Sequence, residues 1–505
     1  MKTAKKPPKK TVKKTKLKAL IRKKSSISSK KPSLGSQVDD IFKDWNKNDS
    51  PGMAIAVRLN GNVVYRNGYG GADLDHQIYN SPDTVFHAAS LTKQFTAMAI
   101  MMLINDPSLA NPAVTPITLD TNVNTSTNPL IPELGGITLP DGTPQPITIR
   151  QLLHHTSGIR DQWVLATMAS WRLSDDVVTR DDVMNRFVGL SKSLNFVPGS
   201  KYSYSNTNYT IAAEIVKKVS GLSLSAFCKQ HIFDPLGMTK TKIIETHGAI
   251  VEDRAYGYRV PPLTGLGWEI RMPNYDLTGP TNLQTTVDDL MRWDANFDTM
   301  TVGGAAALAE MQTPGLGGYG LGLFISEQGN IKVVEHNGRD AGYRSHLIRV
   351  PNQNFSIALL ANLALPDSQQ TWTLVRKVAA LYLGATLLPL PPQAPLPGAT
   401  SGPPPSNPGE FTGQFHSDEL DVTCTLSLNG TAIQVTREKY ATVTLSPLTA
   451  ADTFKTMPPP MPAFSNVLPK VKFTFYREQG QIAGFSMDDI SGQDQLSNFK
   501  FKKVP

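Results

Sequence analysis

Ser90-Leu91-Thr92-Lys93-Gln94-Phe95-Thr96-Ala97-Met98-Ala99-Ile100-Met101-Met102-Leu103-Ile104 carries a hydroxyl, an amine three residues on, and then an almost unbroken apolar run. The run has neither Gly nor Pro and is rich in Ala, Met and Leu, so it predicts a helix buried on most of its faces. A polar pair at the mouth of such a helix is costly to bury and needs a reason. In a helix Lys93 stands at i+3 from Ser90, on the same face. A serine hydroxyl is a poor nucleophile near neutral pH, and a Ser-x-x-Lys pair holds a base against it without a histidine. A helix opening at Ser90 also aims its amide end at an alkoxide or oxyanion forming there. The spacing alone is common. It recurs at Ser28–Lys31 and Ser497–Lys500, and neither copy opens a buried helix. Ser90 by itself also suits a plain helix cap.

Outward from this helix the pattern is globular from about residue 39. Residues 53–59 and 63–65, joined across Asn60-Gly61-Asn62, predict a β-hairpin, because Asn-Gly suits a tight primed turn. Residues 150–156 predict a short helix, and 209–219 a longer one closed by Ser220-Gly221. Short strands at 333–335 and 345–350, a core strand at 355–361 and a last helix at 372–383 follow. Strands at both ends with helices between predict an α+β domain built on one antiparallel sheet.

Nine of the twenty residues at 389–408 are proline, which marks a semi-rigid extended linker. Beyond it the texture changes. A hairpin signature at 422–436 around Asn429-Gly430, with alternating stretches at 471–476 and 499–504, predicts a small all-β barrel or sandwich over 409–505.

The net charge of +8 belongs to one end: residues 1–37 hold fourteen Lys or Arg and no acid, leaving −6 for the rest. Like charges at this density with few large apolar residues predict a disordered basic tail, whose one functional reading is contact with a polyanion. The apolar stretch of a secretory signal does not follow these charges, which favours the cytoplasm. No run of about 18 apolar residues predicts a transmembrane segment. Cys228 and Cys424 fall in different domains, so both are expected to be buried thiols rather than a disulfide.

Further motifs narrow the class. Pro51-Gly52-Met53-Ala54, Thr84-Val85-Phe86 and Ala89-Ser90-Leu91-Thr92-Lys93 are followed in order by Gln151-Leu152-Leu153-His154-His155-Thr156-Ser157-Gly158 and Phe196-Val197-Pro198-Gly199. Then come Tyr204-Ser205-Asn206, Phe233-Asp234-Pro235-Leu236-Gly237-Met238 and His336-Asn337-Gly338. From about residue 38 to 385 this ordered set resembles the class C β-lactamase-like serine hydrolases, which include penicillin-binding D,D-peptidases, D-aminopeptidases and esterases. The resemblance implies a mostly helical lobe beside the sheet at 38–388 and a lipocalin-like barrel after the linker. It implies that Ser90 is the nucleophile, Lys93 its partner, and Tyr204 a general base and acid beside them. A phenol near pKa 10 would need a neighbouring ammonium to lower it, a role Lys93 is expected to fill. Asn206 is expected to orient the substrate carbonyl. His336 and Gly338 are expected to line the site from a strand, and the N–H groups of Ser90 and Arg339 to form the oxyanion hole.

The third motif departs from the Lys-Thr-Gly of most class C β-lactamases. A histidine, charged only part of the time near pH 7, grips a carboxylate less well than lysine, which counts against efficient β-lactam hydrolysis, and the His-x-Gly form at His336 resembles family members that act on D-amino-acid peptides or esters. Arg339 and Arg344 are additional candidates for holding a substrate carboxylate. The expected chemistry is an acyl-enzyme on Ser90 without metal or cofactor, acting on a small molecule or short peptide. The competing readings are a class C-type β-lactamase and a non-catalytic penicillin-binding receptor. His154-His155 lacks metal spacing. Gly315-Leu316-Gly317-Gly318-Tyr319-Gly320-Leu321-Gly322 lacks the Gly-Lys-Ser/Thr ending of a phosphate loop and reads as a turn entering a strand.

Overall fold

The structure, a computed structural model, describes residues 32–504 except 126, 128, 140, 174, 262–266, 329, 366–369, 385–400, 439–441, 457–470 and 491–494. The expectations for residues 1–31 and for the first part of the linker lie outside these residues. Among the described residues no helix is long and apolar enough to cross a membrane.

Six strands form one antiparallel sheet: β1 (Met53–Leu59), β2 (Asn62–Tyr69), β3 (Phe324–Gln328), β4 (Ile331–Asp340), β5 (Tyr343–Val350) and β6 (Phe355–Ala361). Their order is β3-β4-β5-β6-β1-β2, so the chain's two ends meet where β1 pairs β6 from Met53↔Ala361 to Leu59↔Phe355. The turn of the first hairpin is Asn60-Gly61, with φ of 49° and 82°, the left-handed pair that a two-residue primed turn requires. Strands β4 and β5 are longer than the sequence patterns at 333–335 and 345–350. Their outer halves carry polar residues at the site, which breaks the apolar alternation there.

The sheet is covered on both faces. On one side α1 (Leu34–Phe42) and α5 (Thr371–Leu383) bury Val38, Phe42, Leu374 and Val378 against Ile55, Val57, Ile357 and Leu359. The disordered-tail reading of 1–37 therefore runs too far: Ser33 Oγ accepts from the Ser36 N–H and caps α1. Asp39 on α1 accepts from the hydroxyls of Tyr65 and Tyr69 and so ties the helix to β2. On the other face Ala54, Ala56, Ala358 and Leu360 join the core of the helical lobe. There α2 (Thr92–Asn105) is buried almost all round, α3 (Gln162–Met168) starts at Asp161, and α4 (Asn206–Ser220) ends at Gly221 with φ 79°.

The C-terminal module is a closed barrel of eight strands: β7 (Gly413–Ser417), β8 (Val422–Asn429), β9 (Ala432–Arg437), β10 (Val443–Pro447), β11 (Thr453–Thr456), β12 (Val471–Glu478), β13 (Gln481–Asp489) and β14 (Phe499–Lys503). β14 returns to pair with β7 and removes the open edge. The interior is packed solid. Phe475 alone has the rings of Phe411, Phe415, Phe454 and Phe485 within 6.2 Å. The module also starts earlier than residue 409, since Gly402 N–H donates to Pro447 O at 3.0 Å. Its apolar core is continuous with that of the helical lobe. Both cysteines are free and buried.

Candidate active site

The turn that presents Ser90 is built by strain and close packing. Ala89 holds φ 48°, a left-handed conformation costly for a residue with a Cβ, and so turns the chain sharply into α2. Two hydrogen bonds fix that turn: Thr92 Oγ1 donates to Ala89 O at 2.6 Å, and Ser345 Oγ on β5 donates to Ala88 O at 2.7 Å. The 3-10 turn Ala89–Leu91 carries Ser90, and the α-helix proper starts two residues later than the serine.

Gly338 explains why a glycine stands in the third motif. A Cβ there would lie 2.6 Å from Ala88 O, 2.9 Å from the Ala89 Cβ and 2.2 Å from Ser345 Oγ, all unacceptably close. Only a glycine lets β4 lie flat against the turn that presents Ser90. Gly338→Ala is expected to push β4 away by a fraction of an ångström or more and to slow acylation of Ser90 about 100-fold, the usual penalty for misplacing a reacting group by about 1 Å. Stopped-flow labelling with a fluorescent penicillin measures it, and an unchanged rate would show the contact to be soft.

Two side chains converge on one oxygen. Ser90 Oγ lies 3.1 Å from Lys93 Nζ and accepts from the Tyr204 hydroxyl at 3.0 Å. Lys93 is fully buried, and Nζ also donates to Asn206 Oδ1 at 2.8 Å and to Pro280 O at 2.9 Å. Burial, only partly opposed by Asp161 and Asp340, pulls the Lys93 amine down to about 7. In its neutral form the amine gives both N–H groups to Asn206 Oδ1 and Pro280 O, which can only accept, and its lone pair is left facing Ser90. That is the state of a general base.

Tyr204 corrects an expectation. Burial holds its phenol well above the ordinary value, outweighing the hydrogen bond to Ser90, so Lys93 does not make it acidic. With its phenol protonated, Tyr204 is placed as a candidate proton donor toward Ser90, and the Lys93 amine as the candidate acceptor. The Tyr204 ring packs against His155, tilted by 37° with the centroids 4.3 Å apart. His155 Nδ1 accepts from Ser205 N–H at 3.2 Å and Asn208 Nδ2 at 3.3 Å, and burial lowers its pKa well below the usual value. His155 is therefore a neutral shelf beneath the tyrosine.

Asn206 is engaged at both ends of its amide. Oδ1 accepts from Lys93, and Nδ2 and the backbone N–H donate to Asp161 Oδ2 at 2.8 and 2.6 Å. Asp161 Oδ1 meanwhile caps α3 through Trp163 N–H and Val164 N–H. Its immediate task is to aim Lys93, through an aspartate that the sequence reading missed. An Asp just before a helical stretch was the available signal.

His336 is buried, and burial lowers it to about 3, with Lys93 adding to the effect. Its Nδ1–H donates to Asn337 O at 2.7 Å, so Nε2 must accept from the Tyr319 hydroxyl at 3.0 Å. The expected part-time cation is thus a neutral ring throughout the physiological range. Tyr319 comes from the glycine-rich stretch 315–322, which passes behind Lys93: a Cβ on Gly322 would meet Lys93 O at 2.7 Å.

The side chains of Arg339 and Arg344 are not brought to Ser90. Alternation along β4 puts His336, Gly338 and Asp340 on the face toward Ser90 and Arg339 on the opposite one. Arg344 pairs across from Arg339, is buried, and donates through Nη1 to Ala341 O and Tyr343 O at 3.2 and 2.6 Å. The acid on the Ser90 face of β4 is Asp340, which accepts from His87 Nε2 and Thr281 Oγ1 at 2.8 Å each and from the Tyr275 hydroxyl.

Residues 38–380 match the Beta-lactamase family, and the chain belongs to it. It is similar to a D-aminopeptidase of Gluconobacter oxydans (strain 621H), 28% identical over 318 residues that cover 62% of this chain and 56% of that one. Protein flp of Staphylococcus aureus (strain N315) is 28% identical over 343 residues, 65% of this chain and 63% of its own. The chain thus spans less than two thirds of either relative. The octameric penicillin-binding protein homologue from Pyrococcus abyssi shares the fold with a TM-score of 0.57 at 22% identity. That likeness covers 93% of this chain and 99% of the other, and so takes in the barrel. The D-amino acid amidase from Ochrobactrum anthropi SV3 shares it over 70% of this chain and 99% of its own, with a TM-score of 0.56 and 23% identity.

Proposed function

We propose that the protein is a serine hydrolase that forms an acyl-enzyme on Ser90 and acts on D-amino-acid peptides, amides or esters. The observation that carries the chemistry is the shared approach of a buried Lys93 amine and the Tyr204 hydroxyl to Ser90 Oγ. Lys93 takes the Ser90 proton as Oγ attacks the substrate carbonyl carbon. Tyr204 gives its proton to the departing amine or alkoxide and regains one from the Lys93 ammonium, 4.8 Å from its ring. A water then attacks the ester, the same groups run in reverse, and Ser90 is restored. The N–H groups of Ser90 and Arg339 would bind the oxyanion.

The substrate class rests on two supports. The third motif offers a neutral His336 where a cation would attract the carboxylate of a β-lactam. The relatives include a D-aminopeptidase. A turnover panel of nitrocefin, D-alanyl peptides, D-amino-acid amides and short acyl esters tests the reading, together with mass mapping of a penicillin adduct. The expected result is an adduct on Ser90 and a higher kcat/KM for a D-amino-acid amide or ester than for nitrocefin. Nitrocefin as the best substrate would assign a β-lactamase. No adduct and no turnover would leave a silent receptor.

A further inference from the structure

The polypeptide carbonyl of Tyr204 is held from the other domain: Gln495 Nε2 donates to Tyr204 O at 3.0 Å. Gln495 lies in the segment that leads from β13 into β14, and its own backbone is fixed, since its N–H donates to Asp489 Oδ2 at 3.2 Å. The next residues bind the same wall of the helical lobe. Leu496 is buried in the common core, and Ser497 N–H donates to Asn195 Oδ1 at 2.9 Å. Arg160, buried to 1% exposure, donates through Nη2 to Ser497 O at 2.8 Å and pairs with Glu419 of the barrel. Its guanidinium also lies 5.3 Å over the Phe499 ring. Arg160 immediately precedes Asp161, which holds Asn206, which in turn holds Lys93.

Both proton-handling groups are thus tied to the barrel by short chains of contacts, while the barrel sends no side chain to Ser90 among the described residues. We propose that the C-terminal barrel completes the catalytic centre, with Gln495 the positioning residue that fixes Tyr204 over Ser90 and Arg160 the anchor beneath Lys93. The alternative, a barrel that merely accompanies the hydrolase domain, gives no account of a side-chain donor spent on the carbonyl of the catalytic tyrosine. A chain ending before the barrel would leave the buried Arg160 without Glu419 and Ser497, and Tyr204 O without Gln495.

The inference rests on the serine hydrolase reading, so its test uses the full chain and a measure independent of substrate identity, the rate at which fluorescent penicillin labels Ser90. Gln495→Ala is expected to slow labelling about 10-fold, the scale of one lost hydrogen bond felt wholly in the transition state. Q495E keeps the length of the side chain, loses its donor and should be impaired at least as much, which covers the case that Q495A does not fold. The reporter specific to positioning is the pH profile. A displaced Tyr204 admits water to Lys93, which Asp161, Asp340 and His336 also influence, so the acid limb of the labelling rate should move to higher pH. Gln434→Ala, on the exposed face of β9, is the control and should label like the wild type. Variants at Gln495 with wild-type rate and acid limb would overturn the proposal. An unlabelled wild type would instead overturn the hydrolase reading on which it stands.

Discussion

Lys93→Met should all but abolish acylation of Ser90, by on the order of 10⁴-fold or more, because groups that act as one unit fail together when any member is removed. Methionine fills most of the lysine's volume, so the helix α2 keeps its packing and the loss is chemical. The wild-type pH dependence gives the same amine away. Lys93 acts as a base only when neutral, and burial brings it to about 7, so kcat/KM should rise with pH up to about 7 and then level off. A limb near the ordinary lysine value of about 10 would mean that the amine is not desolvated in solution. The stability contributed by this group should also depend on pH, in a window above the activity limb. Between about pH 7 and 10 the unfolded chain binds a proton at this lysine that the folded chain does not, so wild-type stability from this group rises with pH across that window. The variant lacks this dependence. Its melting temperature should exceed that of the wild type most near and below pH 7 and by least near pH 10, which thermal scans at the two pH values read directly.

Tyr204→Phe should cost about 10²- to 10⁴-fold in kcat/KM, the range for loss of a positioned acid. Phenylalanine keeps the ring on His155 and removes only the hydroxyl 3.0 Å from Ser90 Oγ, so folding should be spared. The loss should depend on the leaving group. An amide must receive a proton as its nitrogen departs, whereas p-nitrophenolate leaves unaided. The deficit should therefore be large for a D-amino-acid amide and small for the matching p-nitrophenyl ester. Equal deficits for both substrates would remove Tyr204 from the role of acid and leave it a wall of the site.

The distinction between Lys93 and Tyr204 was not legible in the chain. Spacing paired Ser90 with Lys93, and the family resemblance of the ordered motifs added Tyr204, Asn206 and His336; the structure places these five within one cluster. Their charge states depend on what lies around them. Burial in the core around α2 lowers Lys93 to about 7, and burial followed by the neighbouring Lys93 keeps His336 neutral. Arg339 and Arg344 looked available because sequence distance says nothing of sheet faces. One residue of offset from Gly338 puts Arg339 on the opposite side of β4.

By itself the sequence determined what repeats locally or travels in a fixed order. The buried helix after Ser90, the Asn60-Gly61 hairpin, the core strand at 355–361, the last helix and the all-β module each follow from apolar period and turn chemistry within a short window. The tertiary structure alone decided which groups are desolvated, which face each strand residue takes, and what crosses between domains. Asp161 at Asn206, Asp340 at the end of β4, and Gln495 reaching Tyr204 from 291 residues away leave no periodic trace. A hydrogen bond needs only two atoms about 3 Å apart, and nothing in local propensity records which distant atom will fill that place.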